Sequence, residues 1–139
     1  MRAKNTRRVF SAIGLGVLIL TFQSTGSAQS TVMQASIPFD FYIADTLMPA
    51  GNYTVSPLAG RAVLSFAGRN GHAATVLTLP VWNRNPDTNR LVFNRYGNTY
   101  FLSELDWAGY EAAHSFHQSK LELEARSTSA PKPTPVALR

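Results

Sequence analysis

The chain has 139 residues, 45% of them hydrophobic and 11% aromatic, and no cysteine. Without cysteine it can have no thiol nucleophile, thiolate zinc site, iron–sulfur ligation or disulfide, so its stability must come from a hydrophobic core. The formal charge of +5 is a poor guide to a nucleic-acid partner: Arg2, Lys4, Arg7 and Arg8 are four of the 13 basic residues, and the other nine face eight acids without the basic stripe such a partner requires.

Those four basic residues open the chain, and an uncharged, largely apolar run over 9–22 follows, then the small residues Gly26 and Ala28. This is the order of a secretory signal peptide, with cleavage expected between Ala28 and Gln29. The apolar run of 14 residues is short of the roughly 20 that a spanning helix needs. No cysteine follows it to carry a lipid. The expected organisation is a signal peptide over 1–28, a single β domain over 29–126 and a disordered tail over 127–139. The tail is Ser, Thr and Pro rich, a composition that buries little apolar surface. The expected location is periplasmic or extracellular, with no membrane association after the leader is removed.

From there the pattern has period two. In 36–43, Ile37, Phe39, Phe41 and Ile43 alternate with Ser36, Pro38, Asp40 and Tyr42, as a half-buried strand requires. Pro38 lacks a ladder donor and marks an edge or a bulge. The turn Met48-Pro49-Ala50-Gly51 leads into a second strand carrying Tyr53 and Val55. Asn70-Gly71 suits a type I′ hairpin turn, which sets Leu64 opposite Leu77 and Phe66 opposite Thr75 and gathers Leu64, Phe66, Leu77 and Leu79 on one face. The stretch 83–89 is polar and reads as a loop. Gly97-Asn98 is a second hairpin turn, setting Phe93 opposite Leu102 and Arg95 opposite Tyr100. Leu91, Phe93 and Leu102 then lie on one face and Val92, Phe101 and Leu105 on the other, as in a strand pair covered on both sides.

The alternation fails over 106–118, which is expected to be irregular. Ser119-Lys120-Leu121-Glu122 matches a capping box for a short helix to about Arg126, although 120–125 also alternates as a strand would. The expected fold is all-β: a single small antiparallel sandwich or partly open barrel of about six strands, with a short C-terminal helix as an option.

Two blocks carry a resemblance. Ile37-Pro38-Phe39-Asp40-Phe41 followed by Leu47-Met48-Pro49-Ala50-Gly51-Asn52-Tyr53-Thr54-Val55 resembles an IPFDF…LPAGxYxV pattern. Leu91-Val92-Phe93-Asn94-Arg95-Tyr96-Gly97-Asn98 with Tyr100-Phe101-Leu102-Ser103 is similar to a second block of the same family, and Ser119, Lys120 and Glu122 fall where its SK..E segment lies. The family is a set of small exported acidobacterial-type proteins of unknown function. The resemblance implies export and a single domain, and it implies no activity.

Candidate chemistry is sparse. Glu111, His114 and His117 share helical spacing and suit a divalent metal, but weak helix signals around them favour exposed polar residues. Neither a catalytic residue nor a cofactor is expected. Glu104 and Asp106 fall on one strand face, as paired carboxylates do in glycosidases, and Asp40 and Asp45 admit the same argument. The nucleophile elbow, P-loop and dinucleotide fingerprint are all missing from the sequence. Trp82, Trp107 and Tyr110 sit at strand ends or in loops, where they could form a surface for a protein or carbohydrate partner, although the tendency of apolar aromatic surface to be covered favours their folding over the barrel mouth. The expected function is therefore a non-enzymatic exported β domain that binds a partner or serves the envelope. The alternatives are a small-ligand carrier with an aromatic-lined barrel and, behind it, a small metal-dependent hydrolase.

Overall fold

The structure is a computed structural model that describes residues 32–139. The expected signal peptide over 1–28 and its cleavage site at Ala28–Gln29 lie outside the described residues. Within them, the period-two pattern becomes ten strands: β1 (Met33–Ile37), β2 (Phe41–Ile43), β3 (Thr46–Met48), β4 (Gly51–Leu58), β5 (Val63–Gly68), β6 (Ala73–Trp82), β7 (Arg90–Tyr96), β8 (Thr99–Asp106), β9 (Ala112–Phe116) and β10 (Lys132–Ala137). One helix, α1 (Lys120–Thr128), precedes the last strand. The fold is all-β with a short C-terminal helix, and no described helix is long and apolar enough to cross a membrane.

The strands form one curled sheet. Its wall runs β1–β4–β5–β6–β9–β8–β7–β10, and the β2–β3 hairpin joins β8 through the parallel bridge Tyr42–Phe101. The wall is not closed: β10 meets β1 at a single bridge, Ala35–Leu138, where Gln34 and Arg139 exchange backbone hydrogen bonds of 2.8 and 2.9 Å. Beyond that bridge the two margins separate, and the prolines of β10 mark which side faces the seam. The Arg139 amide points at β1 and the Leu138 amide at Asn89, on the β7 side, so odd-numbered residues of β10 present their backbone nitrogens to the seam. Pro133 and Pro135 fall on that parity. They leave the β7 ladder intact, and before Ala137 this margin of β10 carries no backbone donor.

The stretch expected to be a disordered tail is therefore an ordered strand from Lys132 to Ala137, with Leu138 buried behind it. Alternating prolines are compatible with an edge strand, which composition alone does not reveal. Two other expectations change. The single strand over 36–43 divides into β1 and β2 at Pro38–Asp40, where Asp40 Oδ1 accepts the Ala50 amide at 2.8 Å. The irregular 106–118 stretch contains β9, paired with β6 from Thr78–Phe116 to Trp82–Ala112. Its apolar alternation is hidden because His114 takes an inward position.

The interior is filled by rings. Phe41, Tyr53, Phe66 and Phe93 are each less than 2% exposed. Phe41 meets Tyr53 and Phe93 edge to face at centroid separations of 5.3 Å, and Phe39 meets Phe93 at 5.1 Å. Each buried aromatic contributes about 1.5–3 kcal/mol, and the edge-to-face geometry adds to that.

The two long hairpins differ in how their turns set register. Gly97-Asn98 is the two-residue turn expected, with Phe93 opposite Leu102 and Arg95 opposite Tyr100. At Asn70-Gly71 the loop holds three residues: Gly68 and His72 pair across it, and the Gly71 amide donates to the Gly68 carbonyl at 3.1 Å. Asn70 folds back there, with Oδ1 accepting the His72 amide at 3.1 Å. A Cβ on Gly68 would lie 2.4 Å from that oxygen, so only glycine fits. The extra residue shifts the register by one, placing Val63 opposite Leu77 and Phe66 opposite Ala74. A one-residue slip exchanges the faces of a strand. Leu77 and Leu79 consequently point outward, away from Leu64 and Phe66.

In β8, one extra residue makes a bulge. Val92 pairs with Glu104 and Phe93 with Leu102, so Ser103 has no partner on β7. The bulge turns Leu105 inward to join Leu91, Phe93 and Leu102, correcting the face assigned to it by simple alternation. It also turns Glu104 and Asp106 outward. Over the other half of the hairpin, Phe101 stacks on Tyr42 and meets Tyr96. Helix α1 begins at the Ser119 cap, whose Oγ accepts the Glu122 amide at 3.2 Å. Glu122 does not complete the capping box. Its buried carboxylate accepts from Asn94 Nδ2 at 2.9 Å and Tyr96 Oη at 3.2 Å, tying the helix to β7. Burial, followed by the Glu122 charge, raises the Tyr96 pKa.

Candidate functional site

Outward-facing residues of β6 form a row that nothing in the described chain covers. Leu77 is 72% exposed, Leu79 62% and Val81 37%; Trp82, of the opposite parity, ends the strand at 76% exposed and lines one concavity with Val81. On a half-buried strand the positions of the row would ordinarily be polar. Beyond Trp82 the chain enters a loop held by asparagines. Asn83 is buried, and its Nδ2 donates to the carbonyls of Trp107 (3.3 Å) and Tyr110 (3.0 Å) while Oδ1 accepts the Asn85 amide at 2.8 Å. Asn89 Oδ1 accepts the Ala108 amide at 2.8 Å. These bonds staple the 83–89 loop to the loop after β8 and fix where Trp82 and Arg84 stand.

Beneath Trp82 lies an open concavity of about 440 Å³, lined in part by Val81, Arg84, Arg90, Val92 and Glu104. Asp106 is fully buried beside it, and its Oδ2 takes Arg90 Nε at 2.5 Å. Its Oδ1 has no hydrogen-bond partner among the ordinary donors. Burial pushes the Glu104 carboxyl up to about 7, helped by a hydrogen bond to Asp106 and by the Asp106 charge, against the pull of Arg90 and Arg84. Near neutral pH Glu104 therefore passes between a protonated form, which has a donor to offer the unpartnered Asp106 Oδ1, and an ionised form, which has none. Such an arrangement can donate a proton, or accept an anion beside Arg84.

Sequence had placed Glu104 and Asp106 on one face, and the bulge at Ser103 keeps them there. It did not place Arg90. The Gly97-Asn98 register carried back without interruption sets Arg90 opposite Leu105, and the bulge moves it opposite Asp106. Arg84 left no signal beyond being a basic residue in a loop.

The three aromatics singled out from sequence separate. Trp82 is exposed at the concavity. Trp107 is only 2% exposed and belongs to the core, so of the two readings open for it the surface role falls away. Tyr110 packs edge-on against Trp107, and the Arg61 guanidinium lies 3.6 Å from the Tyr110 ring centre and 5.1 Å from that of Trp107. These contacts cap the barrel end.

Glu111, His114 and His117 do not converge. Only His114 lies within β9, with Glu111 just before it and His117 just after, and along an extended segment a spacing of three places neighbours on opposite faces. Glu111 and His117 are exposed, while His114 is buried with Nδ1 3.1 Å from Thr78 Oγ1, which in turn donates to the Arg61 carbonyl at 3.0 Å. Burial, then the Arg61 charge, lowers the His114 pKa and favours the neutral ring. Among the described residues no group of three or more His, Asp or Glu side chains is placed to hold a metal ion. Asp40 serves its turn, and Asp45 lies exposed between β2 and β3.

A second concavity, of about 430 Å³, opens at the β1–β10 seam among Gln34, Ser36, Asn52, Arg69 and Arg139. Comparison with known proteins adds no relative: no family model, curated protein or solved structure matches the chain.

Proposed function

We propose that the chain is an exported, non-catalytic β-barrel domain that binds a partner on the outer face of β6. The observation that carries this reading is the uncovered row Leu77, Leu79 and Val81, with Trp82 exposed at the strand's end, since contiguous exposed apolar surface on a small domain marks an interaction site. It adjoins a shaped concavity with charged walls, rather than standing as isolated side chains. The signal-peptide pattern at the N-terminus supports export. The carrier alternative needs interior space on the order of 300–1,000 Å³, and here Phe41, Tyr53, Phe66 and Phe93 occupy the barrel's centre.

The test is site-specific photo-crosslinking in intact cells that express the full chain. A benzophenone amino acid at position 79 or 82 is expected to give a discrete adduct that the same group at Asp45, exposed on the far turn, does not give. Equal labelling at all three positions would defeat the proposal.

A further inference from the structure

We propose that the outer face of β6 (Leu77, Leu79 and Val81), with the concavity at its end that Val81, Trp82 and Arg84 line, docks an acidic segment of another protein, an apolar side chain seating on Trp82 and a carboxylate on Arg84. This rests on the binding role proposed above and names the chemistry of the partner. Three observations carry it.

The first is shape. From Leu77 to Val81 the row runs along one strand for about 13 Å, and the exposed indole of Trp82 stands at its end. That length, lined by aliphatic side chains before it reaches the single indole, suits an extended peptide better than one sugar ring. The second is charge. Arg90 is matched by Asp106, the one ion pair among the described residues, which leaves Arg84 without a carboxylate of its own. Arg84 and Glu104 line the same concavity.

The third is the proton. The groups facing Glu104 are Asp106 on its own strand, Arg90 on β7 and Arg84 on the loop. Asp106 Oδ1 is fully buried and lacks a partner, and a protonated Glu104 has a donor to offer it. With that proton in place, two arginines stand against one carboxylate and the concavity carries a net positive charge. Without it the charges cancel and an incoming carboxylate meets Glu104 in its ionised form. Docking of an acidic segment is therefore linked to the same proton and weakens as pH rises through about 7.

A random dodecapeptide library displayed on phage, panned near pH 6 against the folded protein, tests this directly. Enriched sequences should pair Asp or Glu with a neighbouring apolar residue. A synthetic peptide of that sequence should bind about tenfold more weakly near pH 8.5, a coupling of ordinary size. R84E should abolish binding. E104Q, which is neutral at every pH, should bind with little change between the two conditions. Melting curves of R84E, E104Q and W82A, all at partly or fully exposed positions, show that the fold is retained.

Enriched peptides that are basic or uncharged, or that still bind R84E, overturn the acidic partner. If those peptides are lost in W82A, the binding face survives and only its partner chemistry is wrong. Peptides indifferent to W82A and to L79S, or no enrichment at all, defeat both proposals. Saturable quenching of Trp82 fluorescence by chitohexaose with no peptide enriched would assign the face to carbohydrate instead.

Discussion

The β7–β8 hairpin and strand β6 are both apolar on two faces, and the molecule treats them in opposite ways. Around β7–β8 the second face is covered: Phe101 lies under Tyr42 from the β2–β3 flap, and α1 reaches over Tyr96 through Glu122. On β6 the second face has no such cover, and Leu77, Leu79 and Val81 meet solvent. An apolar pattern on both faces therefore has two meanings, the centre of a core or a surface awaiting a partner. What separates them is which other segments fold across, and that is decided far away in sequence.

The contrast can be broken at its strongest point first. Phe93→Ala is expected to cost about 3–5 kcal/mol, the range for large-to-small changes in packed interiors, because Phe93 meets both Phe39 and Phe41 edge to face. Chemical denaturation measures this, and a loss below about 1 kcal/mol would mean that the hairpin is not the packed centre.

The charged wall beside β6 gives a smaller effect that depends on pH. Glu104 holds its proton up to about 7 in the folded chain, against an ordinary carboxylate value near 4.3. The folded state then binds more protons than the unfolded state between these limits, so this group's contribution is complete below the lower limit and falls as pH rises to the upper one. His114 acts in the other direction, since its neutral form is favoured by folding and its contribution is lost on acidification. Comparing wild type with Glu104→Gln isolates the carboxyl. Wild-type Tm should decline relative to the variant between about pH 5 and pH 8. Parallel curves would remove the Glu104 proton from the description.

The smallest effect belongs to the bare row itself. Leu79→Ser should change stability by no more than about 0.5 kcal/mol, as for surface positions generally, although leucine at a core position costs several times that when truncated. A loss above about 1.5 kcal/mol would show that the outer face of β6 packs against something within the chain.

Much of the wall was legible because its signals are local. The Gly97-Asn98 turn fixes two residues and with them the register of β7 on β8. Asn70-Gly71 carries the same kind of signal, but its loop contains Arg69 as well, and one additional residue sends Leu77 and Leu79 to the opposite face. The bulge at Ser103 has a similar effect on Leu105, and no residue type announces it. At the candidate site the carboxylates could be paired from their spacing along one strand, whereas Arg90 meets them through the bulge at Ser103 and Arg84 through a loop pinned by Asn83 and Asn89. Trp107 looked like a surface residue because it follows a strand, but Tyr110, Arg61 and the core close around it. The last strand was hidden by its prolines, which usually accompany disorder and here serve an edge.

Those prolines bear on how the molecule tolerates its own kind. An open seam offers unpaired backbone on both margins, and exposed margins are how β proteins polymerise. A copy approaching β10 would need donors at positions 133 and 135, and proline supplies neither. The wall can stay ajar without recruiting a neighbour's strand, so crowding should leave the domain monomeric along this margin.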